Sequence, residues 1–245
     1  MQRAYLKALH GRYWPYRHHD VPFPIESVVA WYTLFALQDD LGVTGDVLEM
    51  GVEHGGTAFL AMMALRDSER LEMIDIKKSP RFADKAAALP QDVADRIVFH
   101  ECSTRSETLS EIAARQFRFV HIDAGHSKAD VLDDMARFVP CVAPDGVLCL
   151  DDVFEIRWPG VTEAALEFTP QSGLVPFLFV NRKLYLAHPS MAATYRAKLV
   201  ESHAILQDLG PLRAWTETML GAPTMIWKHG ATAATLERLV SQEAL

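Results

Sequence analysis

Two acidic segments close neighbouring apolar runs: Ile122-Asp123-Ala124-Gly125-His126 and Leu150-Asp151-Asp152. Three carboxylates brought to one cleft repel each other. A hard divalent cation such as Mg²⁺ relieves that repulsion and keeps coordination positions for a substrate oxygen. His126 follows Asp123 by three residues, behind a glycine. An imidazole that titrates near neutral pH suits it to take a proton from a hydroxyl. A lone histidine is more often a structural hydrogen-bonder, and the neighbouring acids are what favour the base; His121 reads as a buried structural residue.

Upstream, Val47-Leu48-Glu49-Met50-Gly51-Val52-Glu53-His54-Gly55-Gly56-Thr57 runs from a strand through a glycine turn into a helix start. This arrangement lets backbone approach a nucleotide-like ligand closely. Glu53 stands where a dinucleotide fingerprint has its second glycine, and a carboxylate there repels a pyrophosphate. Asp75, ending the next apolar run, is placed to accept hydrogen bonds from ribose hydroxyls. The plainer alternative is that the glycines make a tight turn and Asp75 caps a loop.

The elements that must position these residues follow a βαβα rhythm, which implies an α/β, doubly wound, mostly parallel sheet. Strands are expected at 46–50, 70–76, 96–101, 117–122 and 146–150, with helices at 57–65, 106–116 and 128–139. A weaker helix at 82–95 is interrupted by Pro90. Residues 161–168 read as helix, then 174–180 and 183–187 form an antiparallel hairpin about Asn181-Arg182. In such sheets ligands sit at the C-terminal ends of the strands, where the acids and the glycine loop would meet. A packing helix at 25–41 precedes the first strand. Beyond Ser190 further helices are expected, anchored by Leu199, Leu206, Leu236, Leu239 and Val240 and broken at Gly210-Pro211 and Gly221-Ala222-Pro223.

The chain has 245 residues, 49% hydrophobic and 23% charged, enough for one large domain with appendages. With 24 basic and 32 acidic residues the net charge is −8, which argues against nucleic acid and anionic membranes as partners. Cys102, Cys141 and Cys149 form no C-x-x-C pair and fit a reducing, cytoplasmic compartment. The N-terminal segment lacks the apolar stretch of a secretory signal, and no run approaches a membrane span.

From Val47 to His188 the sequence resembles the class I S-adenosylmethionine-dependent methyltransferases. The resemblance is to cation-dependent O-methyltransferases of the catechol type and of the macrocin type that modifies antibiotic sugars. It implies a Rossmann-like sheet of seven strands with the last antiparallel. It further implies that Gly51 and Gly55 approach the cofactor S-adenosyl-L-methionine, with Thr57 near its methionine carboxylate and Glu49 and Glu53 flanking that site. Asp75 matches the acid that holds the ribose, and Cys102-Ser103 match the loop beside the adenine. Asp123 matches the aspartate that binds metal beside the cofactor. His126 stands where catechol-type enzymes have a lysine base, as in the sugar-modifying branch. Asp151-Asp152 match the paired metal ligands, for Mg²⁺ or another divalent cation.

The expected division is 1–40, an arm and helix serving as substrate lid or dimer contact; 41–189, the cofactor-binding core; and 190–245, a helical extension. Tyr13, Trp14, Tyr16, His18 and His19 form an aromatic and basic cluster that could fold over a ring-shaped substrate or lie at a contact surface. The partner is a small hydroxylated acceptor, a sugar or natural product being favoured; the leucines of the tail serve either homo-oligomerisation or packing on the core. Two rivals stay open at this point: an NAD-linked Rossmann oxidoreductase, and a non-catalytic cofactor-binding scaffold.

Overall fold

The computed structural model describes residues 3–17, 23–208 and 210–241, with side chains up to 237. Helices α1 (Arg3–Tyr13) and α2 (Ile25–Asp40) lead into β1 (Asp46–Met50), α3 (Ala58–Ala64) and β2 (Leu71–Asp75). Pro90 splits the next crossover into α4 (Pro80–Ala86) and α5 (Gln91–Ala94), as its missing N–H requires. Then come β3 (Ile97–Glu101), α6 (Ser110–Ala113), β4 (Phe117–Ile122), α7 (Lys128–Phe138), β5 (Val142–Leu150) and α8 (Pro159–Phe168). The hairpin β6 (Val175–Val180) and β7 (Lys183–Ala187) precedes α9 (Pro189–Glu201), α10 (His203–Asp208), β8 (Leu212–Met219), β9 (Ala222–His229) and α11 (Ala233–Ser241).

The sheet runs in the order β3-β2-β1-β4-β5-β7-β6-β9-β8. β1 to β5 are parallel to their neighbours, and β7 enters antiparallel between β5 and β6. The doubly wound α/β sheet with an antiparallel strand is therefore present, and β9 and β8 extend it from seven strands to nine. This corrects the expectation of helix over 212–229. Leu220 and Gly221 both take positive φ, 50° and 79°, as a two-residue hairpin turn needs, so the glycine read as a helix break is a strand reversal. β9 alternates toward the core, burying Met225, Trp227 and His229, and pairs with β6 along Leu178–Val180.

Alternation along the strands divides the core into two layers. Phe119, Val147, Cys149 and Tyr185 face α2, where Trp31 packs edge-on to Phe119 and His121. Leu48, Val120, Ile122, Leu148 and Leu186 face α7 and α8. Tyr13 of α1 is buried and donates to Gly56 O at 3.3 Å, while Tyr16 stacks on Phe59 of α3. The N-terminal aromatics described thus brace the glycine loop from behind; His18 and His19 lie outside the described residues, as do the side chains of Leu239 and Val240. Among the described residues no helix is long and apolar enough to cross a membrane.

Candidate active site

The C-terminal ends of β1, β2, β4 and β5 open onto a cavity of about 690 Å³. Gly51 leaves β1 with φ +84°, and a Cβ there would lie 1.9 Å from the carbonyl oxygen of Asp123. The glycine loop and the first acidic segment are thus pressed against each other, which only glycine permits. Gly55, at φ +83°, lets Phe59 and Phe82 close on the loop. Asp75 Oδ2 accepts from Val52 N–H at 2.8 Å and Glu53 N–H at 2.9 Å, and Oδ1 accepts from Lys77 N–H. The acid at the end of β2 thus fastens the loop, whose Val52 and Glu53 N–H groups are already engaged.

Of the sequence-selected residues, Gly51, Glu53, Thr57, Asp75, Cys102, Ser103, Asp123, His126, Asp151 and Asp152 all line this cavity. Glu49 and Gly55 do not. Glu49 is 1% exposed on the α2 side of β1, where Oε1 accepts from the Thr57 hydroxyl and meets His121 Nδ1 at 3.3 Å. Its Oε2 has no hydrogen-bond partner among the described residues.

The acids converge past the strand ends. Asp152 takes a positive φ of 56°, so the chain turns between Asp151 and Asp152 and both carboxylates reach the cavity. His126 Nε2 lies 3.7 Å from Asp123 Oδ1 and 3.3 Å from Asp152 Oδ2, with its ring stacked 4.6 Å from Trp158. Two potential cation-holding groups overlap here, Asp123-His126-Asp152 and His121-Asp123-Asp151. Burial, then the charge of Asp151, pushes Asp123 up to about 7. Burial works against Asp151 too, but the Lys183 ammonium and His121 hold it below the usual carboxylate range. Hydrogen bonding to Asp123 and then to Asp152 lifts His126 to about 10, against the effect of burial. Asp123 thus keeps a proton above the normal carboxyl range, chiefly because it is withdrawn from water and secondly because Asp151 lies beside it.

The structure adds residues that the sequence reading gave no part in the site. Asn181, Arg182 and Lys183 from the β6–β7 hairpin reach the cavity, as do Arg157 and Trp158. Lys183 Nζ binds Asp151, and Arg182 lies 3.5 Å from Asp152 while also pairing with Glu155. Asn181 and Arg182 both adopt positive φ, 44° and 71°. An arginine in that conformation, where glycine is ordinarily preferred, is the signal that could have marked the turn as more than a connection.

Residues 48–153 match a family described as a methyltransferase domain. Solved structures share the architecture: the MycE methyltransferase from the mycinamycin biosynthetic pathway, in complex with Mg, SAH and mycinamycin VI, is 20% identical with a TM-score of 0.51. That match takes in 75% of this chain and 54% of the other, so the chain corresponds to little more than half of MycE. A TDP-rhamnose 3′-O-methyltransferase of calicheamicin biosynthesis is 15% identical at a TM-score of 0.50, covering 75% and 93% of the two chains. The O-methyltransferase NovP is 14% identical at 0.51, covering 76% and 96%. No curated protein sequence matches the chain significantly. Residues 48–153 are thus similar to a methyltransferase domain, and the chain shares the fold of these O-methyltransferase structures.

Proposed function

We propose that this protein is an S-adenosylmethionine-dependent O-methyltransferase acting on a hydroxyl of a small hydroxylated metabolite, a sugar or natural product. The observation that carries the proposal is the convergence of Asp123, Asp151, Asp152 and His126 on one cavity with the glycine loop. The donor set fits a hard divalent cation: carboxylate oxygens in a concave site whose negative charge is incompletely balanced. Asp123, Asp151 and Asp152 would hold it. When bound, the cation supplies Lewis acidity toward an acceptor hydroxyl, and the cofactor supplies a methyl group on a sulfonium.

The protein's own groups do the rest. Gly51, Thr57, Asp75, Cys102 and Ser103 line the donor half of the cavity, while Trp158, Phe23 and Pro24 border it and exclude water. His126 Nε2 faces Asp123 and Asp152, which hold its proton in the free protein; the role proposed for it, taking the acceptor proton, requires that hold to be released. Its stacking on Trp158 fixes the ring plane. The segments outside 41–189 shape acceptor choice, Phe23 and Pro24 bringing the N-terminal part to the cavity. The oxidoreductase reading is disfavoured because Asp75 occupies the loop N–H groups and Glu53 adds a carboxylate.

Calorimetric titration with S-adenosylhomocysteine and with NAD, each in Mg²⁺ and in EDTA, tests the proposal. Expected are binding of the homocysteine compound, no binding of NAD, and a Mg²⁺ site abolished in Asp152→Ala. Absence of S-adenosylhomocysteine binding overturns the methyltransferase reading; its binding without any Mg²⁺ site removes the cation from it.

A further inference from the structure

The charges opposite the three acids are unequal in kind. Arg182 is one-third exposed and shares its guanidinium with Glu155, and His126 is likewise one-third exposed. Lys183 is 3% exposed, and its ammonium has two partners, the Asp151 carboxylate and His121 Nε2 at 3.3 Å. A lysine so deeply buried keeps its proton only against a fixed anion.

β-Sheet register explains how the contact arises. Glu49, His121, Cys149 and Tyr185 are successive partners across β1, β4, β5 and β7 on the face toward α2. Asp151 and Lys183 are each two residues from that row, Asp151 after Cys149 and Lys183 before Tyr185. Because β7 runs antiparallel to β5, both side chains emerge on the same face at the same edge. The antiparallel strand thus delivers a cation to the one edge of the sheet where the parallel strands collect acids.

We propose that Lys183 is a positioning residue and resident counter-ion of the cation site, fixing the Asp151 carboxylate through one oxygen while its charge loosens the grip on a divalent cation. The inference rests on the proposed role of the three acids. It gives the site an exchangeable cation, held more through Asp123 and Asp152, instead of a permanently bound one. It also gives Asp151 a defined orientation before any cation arrives.

The test is Mg²⁺ titration by calorimetry, with thermal midpoints in parallel. Lys183→Gln keeps a hydrogen-bond donor and removes the charge. Loss of a unit charge a few ångströms from a divalent ion is expected to tighten Mg²⁺ by about tenfold or more. The variant's midpoint in EDTA should fall, and Mg²⁺ should raise it more than in the unmodified protein. A lysine that only fills space gives a lower midpoint with Mg²⁺ affinity unchanged or weaker, and that result overturns the inference while leaving the cation reading intact. A wild-type protein without a Mg²⁺ site overturns both. Should Lys183→Gln not fold, Asp151→Asn/Lys183→Met leaves no buried charge unpaired. It should bind Mg²⁺ more tightly than Asp151→Asn alone, and equal or weaker binding refutes the proposal.

Discussion

Among the places where the molecule draws ionised side chains out of water, two are built on opposite terms. At the base of the sheet Arg118, 1% exposed, holds Glu69 through two nitrogens at 2.8 and 3.0 Å. It also donates to Gln38, Gly45 O and Ala64 O and lies over the Phe35 ring. Glu69 in turn accepts from the backbone N–H groups of Gly45 and Arg66. Charge and hydrogen-bonding capacity close on themselves. At the opposite edge, Asp123, Asp151 and Asp152 face one buried ammonium, one guanidinium shared with Glu155 and the partly exposed His126, and Asp123 is lifted first by burial and then by the Asp151 charge. Burial of charge therefore does not by itself mark a functional centre; incomplete compensation of that charge does.

The comparison breaks most sharply at Arg118. Arg118→Met leaves Glu69 buried without its partner and should destabilise the fold by about 3–5 kcal/mol in denaturant titrations, with S-adenosylhomocysteine affinity of the remaining folded protein unchanged. If stability hardly moves, the closed network is ornamental and the contrast fails. In the cleft, His126→Ala should lower turnover by about 10²–10⁴ while cofactor affinity and thermal midpoint stay near their starting values. Unchanged turnover removes His126 as the base.

A smaller effect sharpens the contrast from the other side. Because Asp123 is lifted from 3.8 to about 7 in the folded protein, it favours folding only while protonated. In EDTA the stability it contributes is therefore full below its unfolded pKa and disappears as pH rises from about 4 through about 7. Asp123→Asn should remove that dependence and raise stability at pH 8 by about 1 kcal/mol, whereas neutralising a member of the Arg118 network lowers it. A loss of stability in Asp123→Asn at pH 8 would show that the cleft is compensated after all.

Much of this was legible in the sequence. Four of the five parallel strands fall within a residue of their expected bounds, because each is a short apolar run ended by glycine or acid. β5 begins four residues earlier than expected: Pro144-Asp145-Gly146 reads as a turn, yet Val142 still pairs with Phe117 across an irregular register. The acids and His126 were visible because strand ends in such sheets share one edge. Lys183 was not, since its partner Asp151 lies 32 residues earlier and a lysine opening an apolar strand looks like a solvated flank. Residues 212–229 read as helix because Gly221 looks like punctuation between helices, although β-branched and aromatic residues surround it.

The late pairing of β9 with β6 sets an order of events during synthesis. β6 is continuous with the sheet on its β7 side, but its other edge, at Leu178, Phe179 and Val180, waits for Met225, Ile226 and Trp227. At ribosomal speeds of about 5–20 residues per second, the roughly 50 intervening residues leave that apolar edge uncovered for about 3–10 seconds. A nascent chain halted in that window presents a template for pairing with another chain, so premature termination near residue 200 should yield aggregates instead of a shortened soluble fold.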